Sequence, residues 1–364
     1  SCLSNNEKQA VLSVLDREFL GMGTEVKKFE DELTKFFGRP VVCVSTGTAA
    51  LHLALQAAGI GDGDEVLVQS LTYIASFQAI SATGATPIAC DVNKNSLCLD
   101  WKDAEQKITA KTKAIMPVHY SGGVGMLDEI YIFADKHNLR VIEDAAHAFG
   151  TKYKGKRVGS FGDIACFSFD GIKNITSGEG GCIVTNDTGV LKKTKEARLL
   201  GVEDDTEKRF SGERSWDFDV KHQGWRYHMS DIMASIGIEQ LKRFSEFSCN
   251  RQRLADVYDS FFVNNLQIIP MPHNYAEVVP HIYVVRIKKM TNRKLLQEKL
   301  LEVGISTGYH YQPNHLLTYY KDNTRLPATE KIHSELLTLP MHPDISVSDV
   351  QFISTNLINF LKYV

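Results

Sequence analysis

A lysine carries chemistry only when its amine can shed a proton and the rest of the chain supplies a partner to react with. Lys173 stands in the run Phe167-Ser168-Phe169-Asp170-Gly171-Ile172-Lys173-Asn174-Ile175-Thr176-Ser177-Gly178-Glu179-Gly180-Gly181, where an apolar strand delivers it to a polar, glycine-bearing loop. Desolvation or a neighbouring cation would free its amine to form a Schiff base. Upstream segments hold what a lysine-bound ligand needs. Ser45-Thr46-Gly47-Thr48-Ala49-Ala50 joins a strand to a helix, so free N–H groups and the helix dipole make an anion site there, and Gly47 lets a phosphate reach the main chain. The same residues would also serve as an ordinary helix cap. Ser70-Leu71-Thr72-Tyr73-Ile74-Ala75-Ser76 sets Tyr73 just past the next strand, where its ring can stack on a flat ligand or pack into the core. Val141-Ile142-Glu143-Asp144-Ala145-Ala146-His147-Ala148-Phe149-Gly150 ends a strand in two acids, followed by small residues and a histidine. A carboxylate there can hold a heteroaromatic nitrogen protonated and turn a pyridine ring into an electron sink. A metal-binding acid pair and a helix cap are its other readings. Ser168 adds a hydroxyl for the phosphate. Phosphate cradle, ring stacker, ring acid and lysine, in that order, describe pyridoxal 5′-phosphate bound on an α/β sheet.

The elements that must position these residues follow one rhythm. From residue 40 onward, short β-branched runs alternate with helical patterns, as in a mostly parallel sheet covered by helices. Strands are expected at 41–44, 65–68, 86–91, 114–118, 140–144, 163–169 and 181–185. Helices are expected at 48–58, 74–83 and 127–137, with one long helix over 231–263. Beyond it the pattern changes to a smaller α+β lobe, with a strand at 281–287 and helices at 293–303 and 347–361. No linker or internal repeat divides the chain, and the boundary is expected near residue 245, giving a large domain over 1–245 and a small one over 246–364.

Composition excludes several classes. A net charge of −3 over 364 residues gives no electrostatic footprint for nucleic acid or an anionic membrane. The nearest candidate, Lys152 to Arg157, is broken by Tyr153 and Gly155 and reads as a solvated turn. Seven cysteines form no CxxC pair and several lie in apolar runs, which suits reduced thiols in a cytoplasm and neither disulfides nor a metal. No apolar run approaches the roughly 18–20 residues that span a bilayer, and no signal peptide is evident. The chain begins at Ser1 without Met, which leaves a preceding leader open. The glycine fingerprint GxGxxG does not follow the first strand, which argues against a dinucleotide cofactor.

Between Gly21 and His315 the chain resembles the DegT/DnrJ/EryC1/StrS sugar aminotransferases. The motifs that carry the resemblance are Gly47-Thr48-Ala49-Ala50-Leu51, Gly61-Asp62-Gly63-Asp64-Glu65-Val66, Lys111-Thr112-Lys113-Ala114-Ile115, Glu143-Asp144-Ala145-Ala146-His147-Ala148, and Lys173-Asn174 followed by Gly178-Glu179-Gly180-Gly181. The resemblance implies an α/β fold of type I among pyridoxal-phosphate transferases: a mostly parallel sheet sandwiched by helices, with a smaller C-terminal α+β domain. It implies that Lys173 forms the Schiff base with the cofactor, that Asp144 partners the pyridine nitrogen, that Tyr73 stacks on the ring, and that Gly47, Thr48, Ala49 and Ser168 hold the phosphate. His147 falls where the family places Gln or His near the ring hydroxyl, and members with His there mostly aminate the sugar at C4. In relatives a neighbouring subunit lends an Asn to the phosphate from a Gly-aromatic-Asn-x-Arg segment. Here Gly224-Trp225-Arg226-Tyr227-His228 carries Arg226 and His228 at those two positions, so a charged donor would replace the amide. The stretch Tyr309-His310-Tyr311-Gln312-Pro313-Asn314-His315 resembles the family's sugar-site segment, which implicates His310, Tyr311 and His315 in substrate binding; exposed histidines on a proline-directed turn are the alternative.

Family members that replace the lysine with histidine deoxygenate sugars, and this chain keeps Lys173. The resemblance therefore implies an aminotransferase that moves the amino group of L-glutamate, released as 2-oxoglutarate, to a nucleotide-linked keto-sugar, with the cofactor alternating between pyridoxal and pyridoxamine phosphate. A dTDP- or UDP-linked 4-keto-6-deoxyhexose is the expected substrate and a 4-amino sugar for a surface polysaccharide such as an O-antigen the product. A 3-keto sugar is the alternative within the class, and a catalytically silent regulator of the same fold the alternative outside it. Homodimerisation with shared active sites is implied by the family alone.

Overall fold

A computed structural model describes residues 2–214 and 216–363. Its centre is a seven-stranded sheet of β1 (Val41–Val44), β2 (Glu65–Gln69), β3 (Thr86–Cys90), β4 (Thr112–Met116), β5 (Arg140–Asp144), β6 (Ile164–Ser168) and β7 (Gly181–Thr185), in the spatial order β1-β7-β6-β5-β4-β2-β3. β3, β2, β4, β5 and β6 run parallel, and β7 runs antiparallel to both β6 and β1. The fold is the one expected, and the near-continuous apolar runs have a simple cause: both faces are covered, so both side-chain parities need apolar residues. Val66, Val68, Ile142, Ile164, Cys166 and Ile183 face one way, onto α3 (Gly47–Ala57) and α4 (Ile74–Ala82). Leu67, Ile115 and Val141 face the other way, onto α6 (Leu127–Lys136), while Ala165, Phe167, Cys182 and Val184 pack on α2 (Thr24–Phe37).

Two helices that the sequence reading leaves inside its N-terminal segment close this second face. α1 (Asn5–Asp16) starts at a capping box in which Ser4 and Glu7 satisfy each other's backbone N–H groups, and α2 ends on Gly38 in the left-handed conformation. Both pack on α9 (Asp231–Lys242). The single helix expected over 231–263 is two, because the chain leaves α-geometry at Arg243 (φ −94°, ψ 0°) before α10 (Phe244–Phe262) begins.

Beyond α10 a second, three-stranded antiparallel sheet is formed by β8 (Ile268–Pro270), β9 (Tyr283–Ile287) and β10 (Leu336–Leu339), with β9 in the middle. Its own core joins Tyr258, Tyr283, Val285, Leu300, Leu337 and Leu357 from this sheet, α10, α11 (Arg293–Glu302) and α13 (Val347–Phe360). β9 begins two residues later than expected, and His281 lies in a bend ahead of it. A further apolar cluster, Leu71, Val92, Cys98 and Tyr120 with Met271, Ile282, Val284 and Leu336, binds the small lobe to the carboxyl edge of the large sheet. None of the cysteines is in a disulfide, five are buried, and no helix among the described residues is long and apolar enough to cross a membrane.

Candidate active site

The carboxyl ends of β1, β2, β4, β5 and β6 open into a cleft of about 420 Å³, on the side of the sheet that carries α3 and α4. Side-chain parity decides what enters it. Asp144 shares the face of Ile142 and lines the cleft, whereas Glu143 points through the sheet to His119 Nε2 at 2.6 Å and the Tyr131 hydroxyl at 2.6 Å. The buried Asp144 carboxylate accepts from Ser76 Oγ at 2.7 Å and from the Ala146 N–H at 3.2 Å, so its direction is fixed from both sides.

Lys173 enters from the loop between β6 and β7. That loop is pinned by Phe169 N–H to the Gly180 carbonyl (2.8 Å), Ser177 N–H to the Phe169 carbonyl (2.9 Å), and the buried Asn174 side-chain amide to the carbonyls of Phe149 and Val279. Burial lowers the Lys173 amine below the ordinary lysine value, against the opposing pull of Asp144 and Asp170. The α3 start supplies the cradle. Thr46 Oγ1 caps the Ala49 N–H and the Thr46 carbonyl takes the Ala50 N–H, so the N–H groups of Gly47 and Thr48, which line the cleft, precede the first helical bond. A Cβ on Gly47 would stand 2.7 Å from Ser168 Cβ, which shows how closely the two halves of the cradle approach. Ala49, expected at the phosphate, is buried behind this turn with its N–H already taken.

Tyr73 sits ahead of α4, is 58 % exposed and lines the same cleft as Asp144 and Lys173. His147 is buried; its Nε2 meets the Tyr311 hydroxyl at 2.8 Å, and its Nδ1 has no partner among the described residues. Burial, Lys173 and His310 hold the His147 ring neutral, well below the usual histidine value. His310 also lines the cleft, with Nδ1 2.8 Å from Thr338 Oγ1, and burial with Lys173 brings its pKa down to about 4. The Tyr120 hydroxyl donates to the His310 carbonyl and fixes the loop that carries both residues.

Other expected residues fall elsewhere. His315 is buried outside the cleft, with Nδ1 2.7 Å from Ser70 Oγ and Nε2 3.4 Å from Glu330. It braces the loop that leads to Tyr73, and neighbouring Asn314 assists by donating to the carbonyls of Ser70 and Thr72. Arg226 and His228 flank the end of β1, where His228 bridges to Val44 and the Ser45 N–H donates to the Tyr227 carbonyl; neither lines this chain's own cleft. Arg226 is exposed, and burial followed by Arg209 and Arg226 lowers His228 to about 4. His281, a buried small-lobe residue that no motif in the sequence marks, brings its Nε2 to 3.5 Å from Lys173 Nζ.

These groups fit the cofactor that the motifs imply. Anion-binding N–H groups, a fixed carboxylate, an open aromatic face, an amine of lowered basicity and an unpartnered buried imidazole nitrogen all converge on one cavity, and the Gly47 approach leaves room that a side chain would fill. The sequence pattern of the DegT/DnrJ/EryC1/StrS aminotransferase family matches residues 1–357. The spore coat polysaccharide biosynthesis protein SpsC of Bacillus subtilis is 34 % identical over 96 % of this chain and 92 % of its own. Among solved structures, Spr1654 of Streptococcus pneumoniae, assigned as a sugar aminotransferase and seen in PMP and PLP forms, superposes with a TM-score of 0.93 for the PMP form at 31 % identity, covering 100 % of this chain and 98 % of the other. Helicobacter pylori PseC, an aminotransferase of pseudoaminic acid biosynthesis, gives a TM-score of 0.92 at 28 % identity, covering 100 % of this chain and 98 % of the other. The chain with Lys173 at the centre of this cleft thus belongs to the DegT/DnrJ/EryC1/StrS aminotransferase family and is a pyridoxal-phosphate-dependent sugar aminotransferase.

Proposed function

We propose that this enzyme moves the amino group of L-glutamate onto C4 of a nucleotide-linked 4-keto-6-deoxyhexose, carried by dTDP or UDP, and so makes an amino sugar destined for a surface polysaccharide. The observation that carries the reading is the convergence of Lys173, Asp144, His147 and Tyr311 in one cleft. PseC, an aminotransferase involved in the biosynthesis of pseudoaminic acid, and SpsC, a spore coat polysaccharide biosynthesis protein, support it. Overall, glutamate leaves as 2-oxoglutarate and the sugar carbonyl becomes an amine; the water lost as the sugar carbonyl condenses is offset by the water that supplies the keto oxygen of 2-oxoglutarate.

When bound, pyridoxal 5′-phosphate supplies an electron sink and a carbonyl that carries the nitrogen between the two substrates. The chain's own residues do the rest. Gly47 and Thr48 N–H groups with Ser168 Oγ hold the phosphate at the positive end of α3. Asp144, unable to turn away from its bonds with Ser76 and Ala146, keeps a proton on the ring nitrogen. Tyr73 covers one ring face. Lys173 Nζ would take the proton from the donor's α-carbon and deliver it to C4′ of the cofactor in the first half-reaction, and move a proton from C4′ to the sugar carbon in the second, a task that needs the free amine its burial favours. His147, held by Tyr311, would lie near the ring hydroxyl, the position that carries His in the family members that mostly aminate at C4. His310 and Tyr311 position the sugar. Arg226 and His228, outside their own cleft, reach the phosphate of a neighbouring subunit, which makes the working unit a homodimer. The large domain spans 1–245 and the small one 246–364.

The test is a panel of dTDP- and UDP-keto-sugars incubated with glutamate, with products solved by NMR. Nitrogen at C4 and abolished turnover in Lys173→Ala are expected. Nitrogen at C3 replaces the regiochemistry with the 3-amino alternative, and turnover that survives in Lys173→Ala overturns the assignment of the lysine. Absence of turnover in every combination overturns the substrate class proposed here.

A further inference from the structure

His281 approaches the reacting amine from outside the large sheet. It is 4 % exposed, its Nε2 is 3.5 Å from Lys173 Nζ, its ring centre is 4.5 Å from that of His147, and its Nδ1 is buried with no partner among the described residues. The residue is held by its main chain: Arg251 of α10, itself buried, donates from Nη1 to the His281 carbonyl at 2.9 Å and to that of Pro280 at 3.3 Å. Burial first, then Lys173, His147, Arg251 and His310, push the His281 pKa well down, so the ring is neutral and carries one proton.

The position of that proton follows from the two nitrogens. On Nδ1 it would be an N–H with no acceptor among the described residues, and orphaned buried N–H groups are rare; on Nε2 it leaves only a bare nitrogen at Nδ1. An Nε2–H in turn needs an acceptor, and the atom in front of it is Lys173 Nζ. An ammonium has no lone pair, whereas a free amine has one. We propose that His281 Nε2–H donates to the lone pair of the Lys173 amine, making this small-lobe histidine a positioning residue that holds the lysine as an aimed free base. No bond is made or broken: the proton that Lys173 sheds goes to solvent, and His281 keeps its own. His147 does not compete, because its Nε2 is engaged by Tyr311. The charged groups that act on Lys173 are Asp144 and Asp170, both of which favour the ammonium, and Glu179 lines the same cleft, so the lone-pair contact works against the local field.

The inference rests on the Schiff-base role of Lys173, and its test separates the two. The full chain, stripped of cofactor, is mixed with pyridoxal 5′-phosphate, and the rate of covalent capture is followed by absorbance across the pH range in which the lysine titrates. Since only the free amine reacts, the profile reports the Lys173 midpoint. His281→Leu should raise that midpoint by about one pH unit and slow capture at neutral pH about tenfold, while His281→Gln, which keeps an N–H donor, should stay close to the parent. An unchanged or lowered midpoint in His281→Leu overturns the proposal. On the unaltered protein, imidazole nitrogen NMR with His281→Gln as the assignment control should find the His281 proton on Nε2, and a proton on Nδ1 overturns it even if the leucine variant does not fold. Failure of the underlying reading looks different: the parent would capture no cofactor, or Lys173→Ala would capture it as well.

Discussion

Replacing Tyr311 by Phe removes one atom, and its consequences can be followed in some detail. The hydroxyl is the partner of His147 Nε2 at 2.8 Å, and His147 Nδ1 has none among the described residues, so the variant leaves a buried imidazole with neither nitrogen paired to them. The phenyl ring keeps its packing against Tyr73 and Tyr120, at 5.7 Å and 6.5 Å between centres, so the loss is polar and not steric. Leaving a buried polar group unsatisfied costs about 1–3 kcal/mol. For a chain of 364 residues the unfolding entropy is about 0.8 kcal/mol per kelvin, so Tm should drop by about 1–4 °C. Because the released ring belongs to the cleft, kcat/KM should fall by about tenfold or more, the equivalent of about 1.4 kcal/mol of transition-state stabilisation. Calorimetry and steady-state kinetics on Tyr311→Phe, His147→Asn and the double variant give a cycle whose coupling should exceed about 0.5 kcal/mol. Additive effects, or a Tyr311→Phe enzyme with parental Tm and kcat/KM, would refute the argument that this pair sets the histidine.

Gly47→Ala should weaken retention of pyridoxal 5′-phosphate about tenfold, since the new methyl meets Ser168 Cβ at 2.7 Å and must open the cradle; equilibrium dialysis checks this, and parental affinity would contradict it. Glu7 is buried, and although burial raises its pKa, bonds from Ser4 and Gln240 win and bring it down to about 2. A depressed acid stabilises the native state above its unfolded value and loses that contribution as pH falls through the folded one, so Glu7→Gln should cost up to about 3 kcal/mol at neutral pH and nothing near pH 2. Urea melts at several pH values test this, and a gap independent of pH would refute it. Asp259 has the opposite sign: burial lifts it to about 6 in spite of the Tyr283 hydroxyl bond. The folded state binds its proton more tightly than the unfolded chain does, so its contribution falls as pH rises from about 4 to about 6. Asp259→Asn should therefore gain on the parent across that window, and parallel melts would refute this.

The strands were legible to within a residue or two because double-sided burial writes itself as unbroken apolar runs, and Val41-Val42-Cys43-Val44 can be little else. The cleft residues were legible because strand ends at one sheet edge bring Gly47, Tyr73, Asp144 and Lys173 together without help from distant contacts. What escaped depends on tertiary context. Arg243 breaks a helix with neither Gly nor Pro to announce it. His281 precedes a strand in a pattern that reads as packing, and only the docking of the small lobe sets it beside a lysine more than a hundred residues away. His315 shows the reverse: a histidine in a substrate-like motif turns out to tie Ser70 to Glu330, a distinction that motif spacing does not contain.

The antiparallel course of β7 has a kinetic meaning. Because β6 and β7 pair directly, from Ser168 opposite Gly181 to Ile164 opposite Thr185, the lysine rides on the closed end of a hairpin and not on a crossover. Such a loop cannot swing without unzipping strands in the middle of the sheet. While the hairpin stays paired, rotation about its own side-chain bonds is the motion left to Lys173. Proton transfer by that amine need not wait for movement of the backbone that carries it.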